Sequence, residues 1–213
     1  MNWAEIIVQA LKDWDTSLIA YVPDISIDQV TRLIDDDPFF HLVSATREEE
    51  AIGIAVGAYA VGRNAAVFMQ SSGFGNTLNA VTSLCIPYRT PIPMFINMRG
   101  GPGEFNIAQV AMGRSTKPIL DLLGLVHFTF DDDHRMGEIL DGALKLCHAG
   151  GQPVARRGGP RQHHHHTHDC RPDECRHAHR RADQLVRRRQ CGNHRSGRHP
   201  FGYRRRHSGS QRR

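Results

Sequence analysis

Apolar side chains recur at helical spacing over residues 3–13, where Trp3, Ile6, Ile7, Ala10 and Leu11 fall on one face. Leu18 to Val22 is a continuous apolar run stopped by Pro23, the pattern of a buried strand. The same alternation then repeats. Residues 28–33 predict a helix and 40–45 a strand. Thr46-Arg47-Glu48-Glu49 has the spacing of a capping box and opens a helix to about Ala60. Residues 65–69 predict a strand, 70–76 a Gly-rich turn, 77–85 a helix and 93–98 a strand. A second Gly-rich loop leads to a helix near 117–123, a strand at 125–130 and a helix at 135–148. Strands apolar on both faces, alternating with helices, predict an α/β fold: a parallel sheet with helices on both faces.

The helix after Thr46 differs from the others. Ala51-Ile52-Gly53-Ile54-Ala55-Val56-Gly57-Ala58 is small or apolar all round, which predicts burial on every side. Gly53, Gly57 and Gly62, taken as helix residues, each cost about 1 kcal/mol relative to Ala. Close approach to a neighbouring backbone would offset that cost, either by helix-on-sheet packing or at a subunit interface.

Charge divides the chain in two. Residues 1–155 carry ten Lys or Arg against eighteen acids, a net of −8; residues 156–213 carry seventeen Arg, no Lys and four acids, a net of +13. The basic pI therefore describes neither part and is no nucleic-acid signature for the whole. The tail also holds ten of the fourteen His, and its larger apolar side chains are only Leu185, Val186, Phe201 and Tyr203. Too little apolar surface is available to offset the entropy of ordering it, so residues 156–213 are expected to be a non-globular, disordered appendage to a domain at 1–155. No stretch approaches the roughly 18 apolar residues of a membrane span. The N-terminus lacks a basic region followed by an apolar run, so no secretory leader is expected. Five Cys, an odd number without a dense framework, fit a reducing cytoplasm.

Two segments invite chemistry. Glu48, Glu49 and Glu50 stand at the head of the glycine-lined helix, where the helix dipole alone would favour acids. Gln70-Ser71-Ser72-Gly73-Phe74-Gly75-Asn76 lies at the carboxyl edge of the sheet, where ligands of open α/β sheets gather, although a Gly-rich turn also serves simply to connect elements. His41 and His127 lie inside apolar runs and read as satisfied core residues. Arg99 reads as a surface ion pair or as a contact for an anion.

Taken together, Thr46-Arg47-Glu48-Glu49-Glu50-Ala51 with Gly53, Ala55 and Gly57 resemble the pyrimidine-domain motif of thiamine-diphosphate enzymes: an acid three residues before a small one, entering an Ala/Gly-rich helix. Met69 to Asn76 followed by Leu78-Asn79-Ala80 and Thr82-Ser83-Leu84, then Arg99-Gly100, Gly103-Glu104, Asn106, Gln109 and Met112-Gly113, resemble the sulfopyruvate and phosphonopyruvate decarboxylases. The likeness runs in order from about residue 3 to Ala155. It implies that Glu48, with Glu49 or Glu50 as the alternative, is the catalytic acid facing the aminopyrimidine ring of thiamine diphosphate. It further implies that Gln70, Ser72, Gly73, Gly75 and Asn76 line the cofactor or substrate, with strand-end packing the competing role. Arg99 and Asn106 are the weaker substrate candidates. Family members hold the diphosphate and Mg²⁺ through a second domain bearing Gly-Asp-Gly, which does not occur in these 213 residues. The resemblance therefore implies a partner: a diphosphate-binding β subunit or a missing C-terminal half, in a hetero- or homo-oligomer. No metal ligand is expected on this chain, the Mg²⁺ falling to the partner domain.

The tail's His163 to His166, His168, Cys170, Cys175, His177 and His179 suggest a metal module, and its arginines a nucleic-acid module. The His/Cys spacing is loose and no recognition motif accompanies the arginines. A frame change accounts for both. Arg-Arg-Gly-Gly codons at 156–159, shifted by one base, can encode Val or Ala, and His codons become Ile or Thr. The expectation is a strand hidden in the neighbouring frame, and either an enzyme half or an inactive remnant of one.

Overall fold

The computed structural model describes residues 2–129 and 135–157. Six strands, β1 (Leu18–Tyr21), β2 (His41–Ser44), β3 (Ala65–Gln70), β4 (Pro93–Asn97), β5 (His127–Thr129) and β6 (Val154–Arg157), form one sheet. Every pairing is parallel and the order is β2-β1-β3-β4-β6-β5. The helices are α1 (Trp3–Asp13), α2 (Asp28–Asp35), α3 (Glu48–Ala60), α4 (Ser71–Ala80), α5 (Ala108–Leu122) and α6 (Met136–Gly150). The α/β class expected from the alternation is what forms.

Helices α3, α4 and α5 cover one face of the sheet, and α1, α2 and α6 cover the other. Strand β3 shows why its run is apolar throughout. Val67 and Met69 enter the core beneath α3 and α4 with Ile52, Ala55 and Phe74. Ala66 and Phe68 enter the opposite core with Ile7, Leu11 and Leu140. Phe68 stacks on Phe95 of β4 with ring centroids 4.4 Å apart. Burial of each such ring contributes about 1.5–3 kcal/mol. The strand order reverses between β1 and β3, and ligands of open α/β sheets gather at the carboxyl ends of strands at such a reversal, here Tyr21 and Gln70. That geometry positions the site.

Several local expectations are corrected. The turn at 70–76 is absent, because β3 passes directly into α4 at Ser71. Tertiary contacts there outweigh the poor helix propensity of Gly73 and Gly75. Helix α5 begins at Ala108, well before 117, and packs so closely on the preceding loop that a Cβ at Gly113 would lie 1.9 Å from the Arg99 carbonyl oxygen. The capping box does not form. Arg47 is the N-cap without a side-chain bond, and the Thr46 N–H instead donates to Glu50 Oε2 at 2.7 Å. Gly62 lies beyond α3 at φ +80°, a left-handed position that ends the helix. Gly53 and Gly57 are exposed with nothing within 4 Å of a notional Cβ, so the close approach they permit is not made within this chain. His41 is exposed, whereas the partly buried His127 places Nε2 2.8 Å from Asp121. Among the described residues no helix is long and apolar enough to cross a membrane, and no group of three or more His, Cys, Asp or Glu could hold a metal. The His and Cys cluster of the tail lies outside the described residues.

One buried base sets an acid limit on stability. His148 of α6 stacks on Trp14 with centroids 5.6 Å apart, and its Nε2 is buried without a hydrogen-bond partner. Burial lowers its pKa from 6.5. Above the unfolded pKa neither state is protonated there; as pH falls below it, the unfolded chain takes up the proton first and stability declines. Melting temperatures measured from pH 8 down to pH 5 should fall less steeply for His148→Phe than for the parent chain below about pH 6.5. Equal slopes would contradict this account of His148.

Candidate active site

The three consecutive glutamates take three different directions. Glu49, exposed, pairs with Arg47 at 3.2 Å. Glu50, also exposed, turns back to the Thr46 N–H. Glu48 alone is half-buried and leans across the carboxyl edge onto the first turn of α4. Its Oε1 lies 2.0 Å from where a Cβ of Gly73 would stand, and its Cδ 2.2 Å away. A Cβ at this position would displace the carboxyl group from where it rests. The Asn76 Nδ2 donates to Glu48 Oε2 at 3.1 Å. Oε2 is thus engaged, and Oε1 lies over the bare glycine. Gly75, farther along α4, meets Met112 of α5, whose Sδ would be 3.3 Å from a Cβ there.

A polar chain runs beside this carboxyl group. Gln70, the last residue of β3, donates from Nε2 to Asp24 Oδ2, and its Oε1 accepts from the Ser72 hydroxyl. Asp24 follows β1 and also accepts from the backbone N–H of Ser26 at 2.8 Å and from the Ser26 hydroxyl. Asn97, at the end of β4 and only 6 % exposed, donates to Ser26 Oγ. Asp24, Ser26 and Asn97 escaped the sequence reading. Their signal was a polar residue just past the carboxyl end of a buried strand, in the loop after Pro23 and at the last position of β4.

Arg99 forms an ion pair, the first of its two expected roles, but a mostly buried one and not one on the surface. Its guanidinium makes two bonds of 2.8 Å to the Glu104 carboxylate, and the two side chains are only 11 % and 6 % exposed. The Arg99 fork, helped by the backbone N–H groups of Asn106 and Gly100, holds the Glu104 pKa at about 2. Glu104 occupies the fork that a substrate anion would need. Asn106 is exposed, and its Oδ1 accepts from the Ala108 N–H at the start of α5. Both residues shape the loop between β4 and α5.

The description "thiamine pyrophosphate enzyme, N-terminal TPP binding domain" fits residues 1–108 of this chain. The chain belongs to that family. A sulfopyruvate decarboxylase subunit alpha from Methanothermobacter thermautotrophicus is 37 % identical over 150 residues, covering 68 % of this chain and 91 % of that one. Another from Methanococcus maripaludis is 34 % identical over 155 residues, covering 73 % and 93 %. A phosphonopyruvate decarboxylase from Streptomyces viridochromogenes is 33 % identical over 139 residues, but the match spans only 35 % of its length. In fold, the chain is similar to a 2-oxoglutarate:ferredoxin oxidoreductase from Magnetococcus marinus, with a TM-score of 0.57 at 13 % identity; the match covers 74 % of this chain and 28 % of that one. The resemblance to thiamine-diphosphate decarboxylases is thereby confirmed as one of family, and the parallel sheet as one of fold.

The Arg99–Glu104 pair generates a pH prediction. A carboxyl whose folded pKa is depressed stabilises the fold above its unfolded pKa, and that stabilisation is lost as pH falls through the folded value. The window therefore runs from about 4.5 down to about 2. Glu104→Gln should lower the melting temperature at neutral pH and flatten its decline across that window. A variant that melts in parallel with the parent over the whole range would refute the loop assignment.

Proposed function

We propose that this chain is the pyrimidine-binding subunit or half of a thiamine-diphosphate-dependent carboxy-lyase that acts on sulfopyruvate or phosphonopyruvate. The observation that carries the reading is the placement of Glu48, the one glutamate of the three that is half-buried and whose carboxyl lies against a glycine where any Cβ would displace it. The donor set suits an aminopyrimidine. Glu48 Oε1 would face a ring nitrogen, and Asn76 holds the other carboxyl oxygen. Gln70 and Ser72 supply amide and hydroxyl groups beside it. When bound, thiamine diphosphate supplies the electron sink for the pair left behind as CO₂ departs. This chain's residues orient the ring and hold a proton at Glu48.

The diphosphate and Mg²⁺ fall to a partner subunit or a further domain. The relatives named as alpha subunits support that division, as does the surface of the α3 and α4 layer. After Glu50, neither α3 nor α4 contains a charged residue, and none occurs from Asn64 to Tyr88. Gly53 and Gly57 stand open on that layer. Depletion of charge with small residues that admit a close backbone is the composition of an interface core. A frame change after Ala155 also gains support. Strand β6 lies inside the sheet, with Arg156 in register with Phe95 and Phe128, and Arg157 with Ile96 and Thr129, positions that suit apolar residues. Resequencing the gene tests this directly, and an intact frame with the same residues would dismiss it.

With a diphosphate-binding subunit, thiamine diphosphate and Mg²⁺, CO₂ release from sulfopyruvate or phosphonopyruvate should appear. Glu48→Gln should reduce kcat by at least about a hundredfold, within the usual range for a positioned acid–base group. Gly73→Ala should leave the chain folded, since Ala favours a helix by about 1 kcal/mol over Gly, yet depress activity by displacing the Glu48 carboxyl. Full activity in Glu48→Gln would defeat the assignment. An inactive remnant would show no CO₂ release with any such partner.

A further inference from the structure

We infer that Asp24 is a positioning residue that fixes which end of the Gln70 amide faces the reacting edge, leaving a Gln70 N–H to bind an oxygen of the 2-oxo acid. The inference rests on the function proposed above and deepens it. The hydrogen bonds from β1, β3 and β4 converge on one carboxylate. Asn97 donates to Ser26, Ser26 donates to Asp24 through both its hydroxyl and its backbone N–H, and Gln70 donates to Asp24. Beyond Gln70 the direction is set as well, since its Oε1 accepts from Ser72. Each Asp24 oxygen is therefore an acceptor, Oδ1 from Ser26 and Oδ2 from Gln70.

A primary amide is nearly symmetric in shape, so packing alone does not choose its orientation. Asp24 does choose. A carboxylate offers only acceptors, so the Gln70 nitrogen must turn toward it and the oxygen toward Ser72. One Nε2 proton is used by Asp24, and the other remains for an incoming oxygen. That group stands at the end of β3, beside the first turn of α4 where Glu48 rests on Gly73. A 2-oxo acid presents carbonyl and carboxylate oxygens, all acceptors, and an N–H held in one orientation discriminates for them. Reversing the amide would oppose two acceptors at the substrate and unpair Asp24 at the same time.

Asp24→Asn keeps the shape and breaks the logic. With its oxygen retained by the two Ser26 donors, the introduced amide would present an NH₂ to the NH₂ of Gln70 and force the Gln70 amide to turn over. The double variant D24N/Q70E re-forms every bond with donor and acceptor exchanged: the carboxylate introduced at position 70 accepts from the amide at position 24 and from Ser72. It has, however, no N–H left for substrate.

The test measures kcat, KM and melting temperature in the complex with the diphosphate-binding subunit, thiamine diphosphate and Mg²⁺. D24N should lose about tenfold to a hundredfold in kcat/KM, as expected of a misoriented substrate contact, and should melt lower. D24N/Q70E should recover the melting temperature while kcat/KM stays low. Unchanged kcat/KM in D24N would overturn the proposal. So would recovery of kcat/KM together with stability in the double variant, since Asp24 would then be only structural. Should D24N not fold, the double variant decides alone: low kcat/KM at parental stability supports the proposal, and parental kcat/KM overturns it. Failure of the underlying function would show separately, as full activity in Glu48→Gln.

Discussion

The fit of one carboxyl group over one bare glycine is the constraint on which the site depends. Glu48 can rest on the first turn of α4 only because Gly73 has no Cβ, and it stays there because Asn76, about one turn further along, donates to its outer oxygen. The sheet makes the meeting possible. Parallel strands direct every connection after a strand to the same edge, and the reversal of strand order between β1 and β3 opens that edge where α3 and α4 begin. The two cores on either side of β3 hold the sheet and its helices together, so the carboxyl is positioned by rigid elements rather than by a loop.

A second level of organisation surrounds it. Asp24, Ser26, Gln70, Ser72 and Asn97 link the ends of β1, β3 and β4 in a network whose donors all lead toward one carboxylate or the amide beside it. The Arg99–Glu104 fork fixes the loop before α5, and Gly113 lets that loop press against the helix. The carboxyl edge is thus preformed on this chain. The face formed by Gly53 and Gly57 of α3, by contrast, stays open. Under the function proposed above, both features agree with membership of the family: a preformed edge next to an open surface.

Most of the fold was legible in the sequence because a parallel sheet buried on both faces writes continuous apolar runs, as in Ala65 to Met69 and Pro93 to Ile96. What was not legible depended on contacts distant in sequence. Ser71 to Asn76 carries the residues of a turn, and only the approach of Glu48 and Met112 explains why glycines occupy a helix there. The start of α5 was obscured for the same reason, since Gly113 and Asn106 answer to the loop beneath them. Glu48 was singled out by its spacing to Ala51, yet Glu49 and Glu50 carry the same chemistry. Only their separate partners, Arg47 and the Thr46 N–H, set them apart. The polar network through Asp24 had no motif to announce it, because its members come from the ends of three strands.

The most direct measurement is a structure of this chain with the partner subunit proposed above and thiamine diphosphate in place. In that complex the Glu48 carboxyl should lie within hydrogen-bonding distance, about 2.6–3.2 Å, of a pyrimidine ring nitrogen, with Asn76 still donating to its other oxygen. A ring seated on Glu49 or Glu50, or a Glu48 turned away into solvent, would contradict it.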